Sequence, residues 1–248
     1  LSYFLQTLYG MADLFIIGQY EGVAATTAVS VGSQVMHMLT VMLVGLAMGS
    51  TVTIAQAVGA ENRRAASQCA GNTAALFLAL SAVLTAGLLA LTRPIAAAMS
   101  TPEAAMEGTV RYLTICFLGI PFITAYNIIS AIFRGMGDSR SPLAFVAVAC
   151  AANIALDYLF MGALRLGPAG AALGTTLSQA ISVLVSLIAI RKRRLLALAA
   201  ADFRPERDTL GRILRIGIPV AVQDGLIQVA FITITIIANR RGLTDAAA

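Results

Sequence analysis

Three acids, Asp13, Asp157 and Asp224, stand inside long apolar stretches of this 248-residue chain. An ionisable side chain at such a place is costly and points to a function by default. Two of the three have suitable company. Asn153 lies four residues before Asp157, so its amide and that carboxylate share one helix face a turn apart. Thr175 sits seven residues into the apolar segment that opens at Pro168. Carboxylates, an amide carbonyl and a hydroxyl are oxygen donors suited to a hard cation or a proton. Two carboxylates a few ångströms apart repel, and a proton or cation between them relieves the repulsion. The competing reading is that each acid only hydrogen-bonds a neighbouring helix for packing. Asp224, beside Gln223 and one turn before Gln228, faces either a cavity or a partner helix that this chain lacks. His37, the only histidine, reads as an interhelical hydrogen-bonding group rather than a proton relay. Met36, Met38, Met42 and Met48 read as packing side chains.

The elements that must carry these residues follow from composition. Hydrophobic residues make up 58% of the chain and charged ones 12%, with a mean hydropathy of +0.85. Soluble domains are nearer half apolar and a quarter charged, so a bilayer is the expected solvent. Seven apolar segments are each long enough to cross one, at roughly 20 residues per span: Leu1–Gly18, Thr27–Ala57, Ala66–Leu91, Gly108–Phe133, Pro142–Gly162, Pro168–Ile190 and Ile213–Asn239. The second exceeds a perpendicular span, which predicts tilt or a cytoplasmic extension. Polar or Gly/Pro-rich breaks separate the segments, among them Gly59 to Arg64, Thr92-Arg93-Pro94 and Arg134 to Ser141. Pro142 and Pro168 stand where a helix begins and a missing N–H costs nothing. The net charge of +5 lies in short loops between the segments, which argues for membrane-surface charge and against nucleic acid. Cys69, Cys116 and Cys150 lie within apolar segments without metal-ligand spacing and read as packing residues.

Lys and Arg alternate unevenly between the two sides. Arg63, Arg64, Arg134, Arg140, the Arg191-Lys192-Arg193-Arg194 run, Arg204, Arg207, Arg212 and Arg215 share one side. Arg93, Arg111, Arg165, Arg240 and Arg241 share the other. The richer side is expected to be cytoplasmic, which places the amino terminus inside. Asp13 and Asp157 then lie before the outer ends of the first and fifth helices, and Thr175 lies after the outer start of the sixth. At 1.5 Å per residue all three sit roughly 8–10 Å below the outer surface, so three helices can bring them together.

The chain opens at Leu1 inside an apolar segment and closes at Ala248 just past another, which reads as part of a longer protein. Without a charged n-region or cleavage signal, Leu1–Gly18 reads as a clipped transmembrane helix. Residues 191–212 form the only long polar connection, a cytoplasmic linker between a six-helix bundle at 1–190 and a new helix at 213–248. A weak internal echo, Gly22–Ala28 against Gly242–Ala248, agrees with a repeat. Repeated bundles are common in secondary transporters.

Several of these residues carry a resemblance. Asp13 followed by Gly18, the Gly59-Ala60-Glu61-Asn62 turn, the run Phe133-Arg134-Gly135-Met136-Gly137-Asp138-Ser139-Arg140-Ser141-Pro142, the Asn153/Asp157 pair, Gly170 to Thr175, and Gly217-Ile218-Pro219 opening helix seven together resemble the multidrug and toxic compound extrusion (MATE) transporters, in particular the DinF-like and NorM-like branch. The resemblance implies an all-α membrane fold of twelve helices in two six-helix lobes around a central cavity. This chain would supply the amino-terminal lobe and the first helix of the second. It also implies export of cationic or amphipathic drugs and toxic compounds in exchange for protons or sodium ions, by alternating access across the inner membrane. No cofactor is implied beyond the coupling ion, and the partner is the missing carboxy-terminal lobe. The cation site carries over to Asp13, Asn153, Asp157 and Thr175, with Tyr112 at its rim, while Gln223 and Asp224 stay candidates for the rim or a substrate cavity. Asp224 departs from the DinF-like pattern, where glutamine is expected.

Three other classes compete. A lipid-linked saccharide flippase of the same superfamily would need cationic residues in its cavity, whereas the intramembrane charges here are acidic. A membrane-embedded enzyme would want clustered His, Cys or acidic motifs, and the chain has one histidine. A seven-helix receptor fits the span count but not the break after six helices.

Overall fold

The computed structural model describes residues 2–193 and 200–241. Nine α-helices are described: α1 (Ser2–Tyr20), α2 (Val23–Gly59), α3 (Arg63–Ala90), α4 (Thr92–Ala98), α5 (Glu103–Leu118), α6 (Ile120–Gly135), α7 (Arg140–Asp157), α8 (Pro168–Arg193) and α9 (Arg207–Arg241). A π turn, Tyr158–Ala163, extends α7, and a 3-10 turn, Ala200–Phe203, precedes α9. Among the described residues there is no strand. Hydrocarbon offers the backbone no hydrogen bonds, so a spanning chain must satisfy them internally, as a helix does.

Five described spans are long and apolar enough to cross a membrane, and α5 with α6 makes a sixth, bent by 46°. The 19 residues of α1 reach about 28 Å, close to the thickness of the hydrocarbon core. Where seven straight segments are expected, three details differ. The segment Gly108–Phe133 is broken at Gly119, because Pro121 in the first turn of α6 cannot continue the ladder of α5. The Thr92–Pro94 break is itself the start of α4. Pro94 falls in its first turn, and the Thr92 hydroxyl donates back to the Leu88 and Leu89 carbonyls at 3.0 Å each. Finally, Pro219 does not open a helix but stands inside α9. That helix starts earlier because Glu206 caps it, accepting from the Thr209 hydroxyl at 2.8 Å and from the Leu210 N–H at 2.9 Å.

The distinctive Arg134–Ser141 run is a helix-starting turn. Gly137 takes φ +85°, and the Asp138 carboxylate accepts from the backbone N–H groups of Arg140 (3.1 Å) and Ser141 (3.0 Å) and from the Ser141 hydroxyl (2.6 Å). Donors left open at a helix start are satisfied in this way. α7 is thereby aimed from its first turn.

α2 is the central element, packed against α1, α3, α5, α6 and α9. Its longest interface is with α9, and small residues permit it. A Cβ at Gly45 would stand 2.9 Å from the Ala221 Cα, and one at Gly49 would overlap the Ile213 carbonyl. Gly217, Ala221 and Gly225 face them at four-residue spacing on α9, the pattern that lets helices approach closely in a membrane. α8 continues to Arg193 and α9 begins at Arg207, so both ends of the polar 191–212 connection are helical. Residues 194–199 and the 242–248 half of the internal echo lie outside the described residues.

Asn72 of α3 holds the later part of this connection. Its amide nitrogen donates to the Gln68 carbonyl (3.0 Å) and the Asp202 carbonyl (3.2 Å), and its oxygen accepts from the Glu206 N–H (2.7 Å). Gly71 lets the Asp202 backbone come close enough that a Cβ there would overlap its carbonyl oxygen. The entry to α9 is thus tied to α3.

Candidate functional site

α1 supplies Asp13, α7 supplies Asn153 and Asp157, and α8 supplies Thr175. The structure brings all four together. The Thr175 hydroxyl donates to Asp13 Oδ2 at 3.3 Å, and the Asn153 and Asp157 side chains lie near the Asp13 carboxyl without forming a hydrogen bond to it. Asp13, Asn153 and Asp157 are 2%, 1% and 0% exposed. Even so, five polar atoms here have no well-formed hydrogen bond: Asp13 Oδ1, both amide atoms of Asn153 and both carboxylate oxygens of Asp157. Leaving a buried polar atom without a partner costs about 1–3 kcal/mol, and more for a charged one. A proton between the carboxyls or a cation among the oxygens would offset that cost. The donors are carboxylate, amide and hydroxyl oxygens, so the set fits a hard cation or a proton.

Tyr112 of α5 borders this cluster. Its ring fills a notch at Gly32 of α2, where a Cβ would overlap the ring, and its hydroxyl lies 3.2 Å from Ser33 Oγ. Tyr112, Asp13 and Thr175 also line a cavity of about 460 Å³. That volume lies in the range of sites for drug-sized molecules. Beyond the acid, the wall mixes apolar side chains, among them Met11, Leu14, Val41 and Ile123, with neutral polar and aromatic groups such as Gln34, Tyr126, Asn127, Gln179 and Gln228, and no Lys or Arg lines it among the described residues.

Other expected residues fall differently. His37 is on the cavity wall and makes no hydrogen bond to another described residue. Met36 both lines the cavity and packs in the core, and Met42 packs on Gly225. Asp224 is half-buried with its carboxylate against α2, where a Cβ on Gly45 would lie 2.9 Å from Oδ2, and Gln223 is exposed. Neither lines the cavity, whereas Gln228, one turn further along α9, does. Sequence reasoning missed Gln34, Tyr126, Asn127 and Gln179. The signal for Gln179 was present: it stands four residues after Thr175, on the same face of α8.

An all-helical membrane fold with a buried oxygen cluster beside a drug-sized cavity defines a membrane transporter. The MatE family model matches residues 1–159, and the chain belongs to that family. Its members are transporters, not enzymes, which removes the enzyme and receptor readings. The chain is 30% identical over 238 residues to "Probable multidrug resistance protein YpnP" of Bacillus subtilis, covering 96% of this chain and 53% of that protein. It is 32% identical over 225 residues to "Probable multidrug resistance protein NorM" of Thermotoga maritima, covering 89% and 48%. Among solved structures, an inward-facing multidrug resistance MATE transporter of the MOP superfamily superposes with a TM-score of 0.88 at 27% identity, over 97% of this chain and 55% of that one. A MOP superfamily transporter from Pyrococcus furiosus, described as having a binding pocket of reverse polarity that suggests a different function, superposes at 0.90 with 26% identity, over 99% and 55%. The chain spans about half the length of the curated relatives it matches.

Proposed function

We propose that the whole protein is a secondary antiporter that exports cationic or amphipathic compounds in exchange for protons or sodium ions. This chain forms its amino-terminal lobe (1–190), the inter-lobe linker (191–212) and the first helix of the second lobe (213–248). The observation that carries the reading is the buried Asp13–Asn153–Asp157–Thr175 cluster, with five polar atoms lacking a protein partner, beside a cavity whose mainly apolar wall carries one acid, several amides and aromatic rings. Among the described residues the cavity wall carries no Lys or Arg, which suits a cation or a neutral amphipath better than a pyrophosphate-linked saccharide.

The protein sits in the inner membrane with its amino terminus inside, so α2 runs inward. Its outer part, from Ser30 to Val44, lines the cavity, and its part around Gly45 and Gly49 is sealed against α9. On this topology the α2–α9 seam lies on the cytoplasmic side of the cavity. Alternating access opens that seam and closes the outer side. An ion drives the change only through its different affinity for the two forms. Asp13 and Thr175 touch both cluster and cavity, so ion occupancy is felt where the substrate binds.

Export by the reconstituted full-length transporter, measured against imposed sodium and proton gradients, tests the reading. Efflux driven by one of the two gradients and lost in Asp157→Asn is the expected result, and normally coupled efflux in that variant would end it. Topology is tested separately at exposed Ser139. A cysteine placed there should react in intact cells only with a membrane-permeable reagent, and labelling by an impermeant one would reverse the orientation.

A further inference from the structure

We infer that Gly174 is a positioning residue for the cation site: its missing side chain lets the Asp157 carboxylate lie against the backbone of α8 and so stand beside Asp13. The inference rests on the proposed role of those residues as the ion site. A Cβ built on Gly174 would overlap Asp157 Oδ1 and stand 3.2 Å from its Cγ. The obstructing atom is not the end of a flexible surface chain but a carboxylate with 0% exposure and no hydrogen bond on either oxygen.

Asp157 has little room to retreat. Directly after it the helix widens into the π turn Tyr158–Ala163, where the Leu164 N–H reaches the Leu159 carbonyl at 3.0 Å. Single π turns inside helices are frequent at functional sites. This one is pinned from two sides. A Cβ at Gly162 would lie 3.2 Å from the Tyr20 ring of α1, and one at Gly170 of α8 would lie 3.1 Å from the Phe160 carbonyl carbon. With both backbones held, a methyl group at position 174 has to turn the carboxylate itself, by on the order of 1 Å, away from its partners. Binding constellations tolerate about half that displacement. Thr175 follows at once, so a single turn of α8 delivers both the hydroxyl that bonds Asp13 and the hollow that holds Asp157. Alanine is a better helix former than glycine, so the substitution carries no penalty from helix propensity.

The test compares wild type, G174A, G170A and D157N in the reconstituted full-length transporter, with drug efflux recorded against sodium concentration and against pH. Groups that only orient ligands typically change metal affinity by about 10–100-fold when altered. G174A should therefore need at least about ten times more sodium for half-maximal efflux or, if protons couple, show a displaced pH profile. G170A is crowded by the same π turn but touches no atom of the site, and it should keep wild-type ion dependence. Equal ion dependence in G174A and wild type, or equal displacement in G174A and G170A, overturns the inference. D157N with unchanged coupling would instead overturn the ion-site reading on which it rests. Should G174A fold poorly, the double variant G174A/D157A decides. With the carboxylate gone it should melt at the temperature of D157A alone, whereas damage equal to the sum of the two single variants shows that Gly174 does not act through Asp157.

Discussion

Asn72 and Asn153 are each 1% exposed, yet the first has both ends of its amide bonded while the second has neither. Asn72 joins three backbone groups, one on α3 and two in residues 202–206. The surrounding polar atoms are paired as well, with the Thr209 hydroxyl on Glu206. Asn153 stands among acids from two helices, and what is missing there is a partner rather than proximity. A satisfied polar network fixes one arrangement of its helices. An unsatisfied one costs stability until something is added to it, which is what a site that responds to an ion requires. Satisfied polar atoms thus lie where α3 meets residues 202–206, and unsatisfied ones lie beside the cavity.

The largest expected effect falls on the acids. Asp13→Asn and Asp157→Asn should each abolish coupled export, a loss of about 100-fold or more, while the folded yield stays near wild type. The double variant should be hardly worse than either single one, because groups acting as a unit are non-additive. Efflux assays with the three proteins check this. Reduced yield with normal ion dependence in the surviving protein would move the acids into the same structural class as Asn72.

The two asparagines give the second test. Asn72→Ala strands the Glu206 N–H and the Asp202 carbonyl and should cost about 1–3 kcal/mol. That is read as a lower Tm of the purified full-length protein with unchanged sodium and pH dependence. Asn153→Ala removes no formed hydrogen bond, so it should lower Tm less and yet alter ion dependence. If the two variants change places, the comparison is wrong.

A smaller loss is expected at the start of α7. Asp138→Ala deletes three hydrogen bonds, and removing a capping side chain costs about 0.5–2 kcal/mol. A melting curve of the purified protein measures it. Because α7 carries Asn153 and Asp157, a slight weakening of ion dependence should accompany the lower Tm. The smallest effect belongs to Thr209→Ala, which loses one bond to Glu206 at about 0.5–1.5 kcal/mol and should leave efflux untouched.

Much of this architecture was legible along the chain. The apolar runs mark the spans because hydrocarbon admits only a backbone that bonds to itself, and that constraint is local. Asp13, Asn153, Asp157 and Thr175 stood out for the same reason, since polar side chains inside such runs need an explanation. Their matched distance from the helix ends follows from the fixed rise per residue. What the tertiary structure alone decided depends on how helices turn about their own axes and press together. His37 lies on the cavity wall and Asp224 against Gly45 because of the rotation of α2 and α9, which a run of apolar residues in a bilayer does not specify. The bend at Gly119, the grip of Asn72 on residues 202–206 and the hollow at Gly174 each require two segments far apart in sequence to meet within a few ångströms. Composition and spacing place residues along an axis, and only packing decides which of them touch.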